Sequence, residues 1–222
     1  KLGVPLRLRF RARLLRETLP YSMGNYVTSG LNLVPLMVIP VVVLEGDGPA
    51  AAAGYFIAFQ IATVINSISF AVGESLFAEG SHEDRSLGAL MRRSAAVMLV
   101  ATVPVVAVVV LLARFVLTIF GPEYVDTATG TLIVLALGAF PVAFHTWTSF
   151  LIKITRQLRA MVAAELVFAV VTTILAALAA GRGTVWVAVA WGVGNAVSGI
   201  VAAVALRRRP AQVAAEPVGS AS

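Results

Sequence analysis

The sequence predicts an all-α integral membrane protein with six transmembrane helices. Of its 222 residues, 59% are hydrophobic and only 13% are charged, whereas a soluble domain needs about a quarter of its residues charged to face water. Apolar windows of about 20 residues, the length that crosses a bilayer core as a helix, recur six times along the chain. These windows lack the two-residue alternation of membrane β-strands, so we expect helices throughout.

Short polar segments separate the six predicted spans. The spans cover residues 21–44, 51–76, 94–113, 128–152, 160–180 and 184–206. The first polar segment, EGDGP at 45–49, contains Gly48 and Pro49 and is predicted to be a tight turn rather than an acidic metal motif.

Basic residues predict the orientation of the chain in the membrane. The N-terminal segment, the second and fourth loops and the C-terminal tail fall on one side, and they hold all of the 17 Lys and Arg residues except Arg114 and Arg182. By the positive-inside rule, both termini are cytoplasmic, in a plasma or bacterial inner membrane. The same distribution accounts for the net charge of +6 without a nucleic-acid partner. We expect residues 1–17 to form a cytoplasmic basic arm, 18–206 the six-helix lobe, and 207–222 a disordered tail.

Three of the spans carry polar side chains that we expect to line a substrate cavity. These residues are Asn25, Ser29 and Asn32 in the first span, Gln60, Thr63 and Ser67 in the second, and His145 in the fourth. In the first two spans they recur every three or four residues, which places them on one helix face. Because lipid offers no hydrogen bonds, such a face must contact protein or water.

Two interpretations of these polar faces are open. Asn, Ser and Thr often join membrane helices by hydrogen bonds worth about 0.6 kcal/mol each, and for any one residue this is the commoner role. The complete set, with prolines in the same helices, favours a hydrated cavity. Pro35, Pro40 and Pro141 are predicted hinges, because proline removes a backbone hydrogen bond.

Small residues in the sixth span predict close helix packing. Gly194 and Ser198 belong to one row of small residues at four-residue spacing, and Gly192 belongs to a second. Small side chains at this spacing let two membrane helices approach closely.

We expect no enzyme, no cofactor and no metal site. Cysteine is absent, the two histidines are far apart in sequence, and no P-loop, HExxH or GxSxG motif is present. Glu165 lies about a turn and a half inside the fifth span and is expected to extend to the interface. His145 is then the one ionisable group at depth. We expect a neutral, packed ring there, with a protonation switch as the alternative.

Three short motifs resemble a family of membrane exporters. They are AAGYFIA at 52–58, SLFAEGS at 75–81 and FGPEY at 120–124. With the order of spans over residues 18–206, they resemble the C-terminal six-helix lobe of polysaccharide and lipid-linked oligosaccharide flippases. These proteins belong to the multidrug/oligosaccharidyl-lipid/polysaccharide exporter superfamily.

The resemblance implies one lobe of a two-lobe exporter, with a central cavity that the first two spans would face. A rocker-switch motion would move a lipid-linked glycan outward through the membrane. The partners implied are membrane lipid, the glycan substrate and an N-terminal lobe, either upstream in the same chain or in a second chain. Because the sequence begins with Lys1 rather than Met, we expect a fragment or a processed chain. Basic residues that would hold a pyrophosphate are missing from these spans, so that role would fall to the other lobe or is absent.

Two other functions remain open. An ion-coupled exporter of organic cations would need acidic residues deep in the other lobe. A membrane scaffold without transport activity would bind partners through the glycine-rich sixth helix.

Overall fold

The computed structural model describes residues 12–80 and 87–208, which form eight α-helices. The helices are α1 (Ala12–Asp47), α2 (Pro49–Gly80), α3 (Leu87–Leu111), α4 (Ala113–Phe120), α5 (Glu123–Leu137), α6 (Ala139–Ile154), α7 (Leu158–Ala179) and α8 (Thr184–Arg208). No strand is present in these residues, which agrees with the predicted all-α class.

Six helical segments are long and apolar enough to cross a membrane. They are Ser22–Asp47, Pro49–Glu79, Gly88–Leu111, Glu123–Ile154, Leu158–Ala179 and Thr184–Arg208, the fourth being α5 and α6 together. Large apolar side chains cover their outer surfaces: Met37 is 69% exposed, Val64 71% and Val100 75%. In water such an exposed apolar surface would favour aggregation, whereas a surface that contacts lipid is expected to be apolar. The predicted six-span membrane class is therefore confirmed.

Helices α2 and α8 contact most of the other helices. α8 packs against α5, α6 and α7, α2 packs against α3, α5 and α6, and α1 contacts both α7 and α2. Trp191 of α8 makes edge-on contacts with Phe59 of α2 and Phe168 of α7, at ring-centroid distances of 5.1 and 5.4 Å. These aromatic contacts join three helices in the largest apolar cluster of the lobe.

The turn between α1 and α2 is as tight as the sequence predicts. Gly48 alone separates the two helices, with a φ of +88° that favours glycine. Pro49 begins α2, where its missing N–H has no helical partner to lose. The Asp47 carboxylate accepts a hydrogen bond of 3.0 Å from the Gly183 backbone N–H, so the turn is tied to the segment before α8.

The fourth predicted span is divided into two helices. The division falls at Gly138, between α5 and α6. Pro141 cannot donate a hydrogen bond to the carbonyl of Leu137, which weakens the helix at this point. By contrast, α1 continues without interruption through Pro35 and Pro40. Of the three predicted hinges, only Pro141 therefore coincides with a break in the helix.

Several helix ends differ from the predicted ones. α3 begins at Leu87 and includes Arg92 and Arg93, which we expected in a loop; charged side chains at a helix end can extend to water. The short helix α4 was not predicted, and it packs on α5 through Leu117.

The two chain ends are only partly described. Residues 12–17 of the predicted arm belong to α1, and residues 207–208 of the predicted tail belong to α8. The remainder of the predicted cytoplasmic arm and disordered tail lies outside the described residues.

Candidate functional site

The structure places five of the seven predicted cavity residues on the surface of the lobe. Asn25 and Ser29 are exposed on α1, and Gln60, Thr63 and Ser67 are exposed on α2. We call these five residues the α1–α2 polar face. Counted from the α1–α2 turn at 1.5 Å per residue, Ser29 and Ser67 both lie about 27 Å along their helices. By the same count, Asn25 lies about 33 Å and Gln60 about 16 Å along their helices, so the two polar rows meet in depth only at Ser29 and Ser67.

The hydroxyl groups of this face are satisfied by their own helices. Ser29 Oγ donates to the Asn25 carbonyl at 2.9 Å, and Thr63 Oγ1 donates to the Phe59 carbonyl at 2.9 Å. Ser67 Oγ bonds the Val64 carbonyl at 2.6 Å. Such hydroxyls can face lipid at little cost, so they do not by themselves indicate a cavity.

The two amide side chains are different. Asn25 and Gln60 make no side-chain hydrogen bond to the residues whose side chains the structure describes, which are 19, 22–79 and 88–208. An amide transferred from water into hydrocarbon without a partner costs about 4–8 kcal/mol. These two side chains therefore require water, a ligand or another protein surface.

A cleft opens beside Gln60, between α1, α2 and α8. Its volume is about 200 Å³, and its wall is almost entirely apolar. The lining residues include Pro35 and Pro40 from α1, Tyr55 from α2 and Trp191 from α8. Gln60 is the one amide on this wall. The predicted hinge prolines of α1 thus line this cleft.

The other two predicted cavity residues lie inside the lobe. His145 of α6 is buried, with 5% of its surface exposed, and Asn32 of α1 is half-buried. Both contact Glu165 of α7: His145 Nε2 lies 3.3 Å from Glu165 Oε1, and Asn32 Nδ2 donates to Glu165 Oε2 at 3.4 Å. His145 and Asn32 are thus brought together through one carboxylate.

Two residues of α8 complete the surroundings of His145. Its Nδ1 lies 3.0 Å from Asn195 Oδ1, and its Nε2 lies 3.0 Å from Ser198 Oγ. Asn195 Nδ2 also donates to the Trp191 carbonyl at 2.9 Å, and Ser198 Oγ donates to the Ala164 carbonyl at 2.7 Å. We call Asn32, His145, Glu165, Asn195 and Ser198 the buried polar cluster.

The expectation that Glu165 extends to the membrane interface is wrong. Glu165 is 9% exposed and faces His145. The missed signal is its register in α7: Met161, Phe168 and Thr172 are buried, and Glu165 falls in the same row at three- or four-residue spacing. Leu166 and Val170, on the other side of the helix, are exposed. Glu165 therefore carries its carboxylate into the protein.

The small residues of α8 pack against neighbouring helices of the same lobe. A Cβ added at Gly194 would overlap Thr172 of α7, and one added at Gly199 would lie within 3.3 Å of the His145 Cα. Gly192 lies near Gly138 and Pro141, at the division between α5 and α6. Ser198 is fully buried in the polar cluster. This face of α8 is therefore already covered by α6 and α7.

No metal site is evident in the described part of the chain. Within residues 12–80 and 87–208, no three His, Asp or Glu side chains are close enough to hold an ion together.

Comparison with protein-family models, with curated proteins and with solved structures finds no match to this chain. The features of the lobe that bear on function are therefore the α1–α2 polar face, the adjoining cleft and the buried polar cluster.

Proposed function

We propose that this chain is one lobe of a membrane exporter that moves a lipid-linked oligosaccharide or polysaccharide precursor by alternating access. The observation that carries the proposal is the exposure of the Asn25 and Gln60 amides on two neighbouring membrane-spanning helices. Lipid cannot satisfy these groups, so they favour a hydrated surface. A second six-helix lobe, in the same chain or another, would close a cavity over the α1–α2 polar face.

The chemistry of this surface supports an amphipathic cargo. The Asn25 and Gln60 amides can donate to and accept from sugar hydroxyls. The apolar cleft beside Gln60 offers a surface to hydrocarbon. The basic groups that would bind a pyrophosphate would come from the other lobe, as the sequence resemblance implies.

A small organic cation is a weaker candidate for the cargo. Binding a cation within the membrane normally uses an acidic side chain. The acidic residues of α1 and α2 lie near the ends of these helices, at Glu17, Glu45, Asp47, Glu74 and Glu79. Glu165 of α7 lies inside the lobe but is already paired with His145, so a cation exporter would need acidic residues from the second lobe.

The scaffold alternative depends on a free small-residue face of α8, and this face is not free. Gly194 and Ser198 contact α7 and α6 of the same lobe, so they are not free to bind an outside partner. A scaffold would need a different docking surface.

The orientation and location belong to the same proposal. The concentration of basic residues on one side supports cytoplasmic termini and a plasma or bacterial inner membrane. Reporter domains fused at each terminus and at the α1–α2 turn should give cytoplasmic activity only at the termini.

The transport proposal is tested on the complete natural protein that contains this chain, reconstituted in vesicles with a lipid-linked oligosaccharide. The double variant Asn25→Leu, Gln60→Leu should reduce translocation by about tenfold or more, because each lost hydrogen bond to the cargo costs about 1 kcal/mol. A matched control is Met37→Leu with Val100→Leu, which changes two exposed apolar residues that are not part of the α1–α2 polar face. Unchanged translocation in the amide double variant would contradict the proposal.

A further inference from the structure

The hydrogen bonds around His145 define which of its ring nitrogens carry hydrogen. On the Nδ1 side, Asn195 bonds both the ring and the Trp191 carbonyl. A carbonyl only accepts, so the Asn195 amide must present its NH₂ group to Trp191 and its oxygen to the ring. An oxygen facing Nδ1 at 3.0 Å requires a hydrogen on Nδ1.

The Nε2 side leads to the same conclusion. Ser198 has one hydroxyl hydrogen, and the 2.7 Å contact with the Ala164 carbonyl uses it. Ser198 Oγ can then only accept from Nε2, 3.0 Å away. Nε2 also faces the Glu165 carboxylate at 3.3 Å. Both ring nitrogens therefore face acceptors, an arrangement that fits a doubly protonated imidazolium beside a carboxylate.

We propose that His145 and Glu165 together bind one proton, and that occupancy of this site controls the packing of α1 on α7. With the proton bound, an imidazolium and a carboxylate form a pair with no net charge. When the proton leaves to water, the ring keeps one N–H and is neutral, and the carboxylate stays negative. An unpaired buried carboxylate is costly, so release favours a rearrangement that hydrates or re-bonds Glu165.

Asn32 links this site to α1. Its Nδ2 donates to the second Glu165 oxygen. Among the described residues, this is the one side-chain hydrogen bond between α1 and α7. Helix α1 also carries Asn25 and Ser29 of the α1–α2 polar face. If the proposed transport function holds, proton occupancy would therefore control the position of a cavity-lining helix.

Among the described side chains, no second charge faces His145 and Glu165 within the cluster. The groups that face His145 and Glu165 from neighbouring helices are the uncharged Asn32, Asn195, Ser198 and Phe168. The other charged residues of α1, α6, α7 and α8 lie near the helix ends, at Arg13, Arg16, Glu17, Glu45, Asp47, Lys153, Arg159, Arg207 and Arg208. The one nearest in sequence is Arg159, about 9 Å along α7 from Glu165.

The proton site can be tested by nitrogen NMR on the full chain in lipid nanodiscs, labelled with ¹⁵N-histidine. His82 is the other histidine in the chain, and His82→Gln leaves His145 as the single labelled ring. We expect both ring nitrogens to be protonated at about pH 5 and one to have lost its proton at about pH 8, the limits of the range in which histidine switches act. Glu165→Gln should reduce the doubly protonated fraction at about pH 6 by about tenfold, because it removes the charge partner.

The coupling to α1 can be tested by electron paramagnetic resonance. The chain has no cysteine, so spin labels at Met37→Cys and Val170→Cys report the distance between exposed positions of α1 and α7. We expect the distance to change by about 2 Å between acidic and basic pH, a typical helix shift. Asn32→Ala should keep the doubly protonated ring but lose the pH-dependent distance. Glu165→Gln should lose both.

A His145 ring that keeps one protonation state across this pH range would overturn the proton site. If the distance between the labels at positions 37 and 170 did not change with pH while the polar cluster was unsubstituted, the proposed control of α1 by the proton would be overturned. Both decisive measurements use the native cluster, so they stand even if Glu165→Gln fails to fold. Neither involves a saccharide, so failure of the transport proposal would be seen separately.

Discussion

Gly194 of α8 lies directly against Thr172 of α7, and the space between the two helices has no room for another carbon. A Cβ built on Gly194 would overlap Thr172 Oγ1 and lie 2.9 Å from Thr172 Cβ and 3.2 Å from Thr172 Cα. Rotating the threonine would relieve only the first of these contacts. The spacing of α7 and α8, and with it the position of Glu165 beside Ser198, therefore depends on this glycine.

We expect Gly194→Ala to lower the free energy of unfolding by about 1–3 kcal/mol, the usual cost of overpacking. The measurement is an unfolding titration of the purified protein in mixed micelles. Gly192→Ala is the matched control on the same helix, because its added Cβ would meet neighbours at 3.9 Å, an ordinary contact distance. If both substitutions changed the free energy of unfolding equally, the close contact at Gly194 would have no cost of its own, and α7 and α8 could move apart to accommodate the added carbon.

The sequence predicts the membrane class and the spans well, because apolar length is a property of each segment alone. The first span, predicted at 21–44, is found at Ser22–Asp47, and the turn at Gly48 follows from its local chemistry. Pro141 was predicted as a hinge and lies next to the division at Gly138, whereas the extra helix α4 and the full separation of α5 from α6 were not predicted. These features depend on packing against neighbouring helices and on backbone contacts, which hydropathy does not report.

The candidate site was only partly predictable, for a similar reason. The polar rows on α1 and α2 follow from helical spacing, and the exposure of Asn25 and Gln60 leaves the cavity interpretation open as a prediction. Glu165 was assigned by its distance from a helix end, although its register with Phe168 determines its direction. Its pairing with His145 depends on how α6 and α7 pack, which spacing within one helix does not reveal.

The turn between α1 and α2 should depend on the side chain of Asp47. Asp47→Ala removes the acceptor for the Gly183 N–H, so we expect a loss of about 1 kcal/mol in unfolding free energy. Asp47→Asn keeps an acceptor oxygen and should stay close to the unsubstituted protein. A thermal-stability assay in lipid nanodiscs distinguishes the two variants. If the alanine variant were as stable as the asparagine variant, the hydrogen bond would contribute nothing to the turn.

The exposed amides should mark a water-accessible surface. Because the chain has no cysteine, single substitutions at Asn25 and Gln60 give unique reactive positions. In the complete natural protein in membranes, we expect both cysteines to react with a charged, water-soluble thiol reagent. Cysteines at Val100 of α3 and Val170 of α7, which are exposed apolar positions, should react about tenfold more slowly, because thiolate formation needs water. Equal reaction rates at all four positions would contradict a hydrated α1–α2 face.

The hydroxyl of Ser198 should matter more for stability than an exposed serine in the same membrane. Ser198 accepts from His145 Nε2 and donates to the Ala164 carbonyl, and it is fully buried. Ser198→Ala leaves the ring without one of its acceptors and the carbonyl without that donor, so we expect a loss of about 1–3 kcal/mol in unfolding free energy. Ser67→Ala is the matched control: Ser67 is exposed and bonds only its own helix, so its loss should cost less than about 0.5 kcal/mol. The measurement is an unfolding titration of both variants under the same micelle conditions. A Ser198→Ala variant as stable as Ser67→Ala would mean that the buried polar cluster does not hold α6, α7 and α8 together.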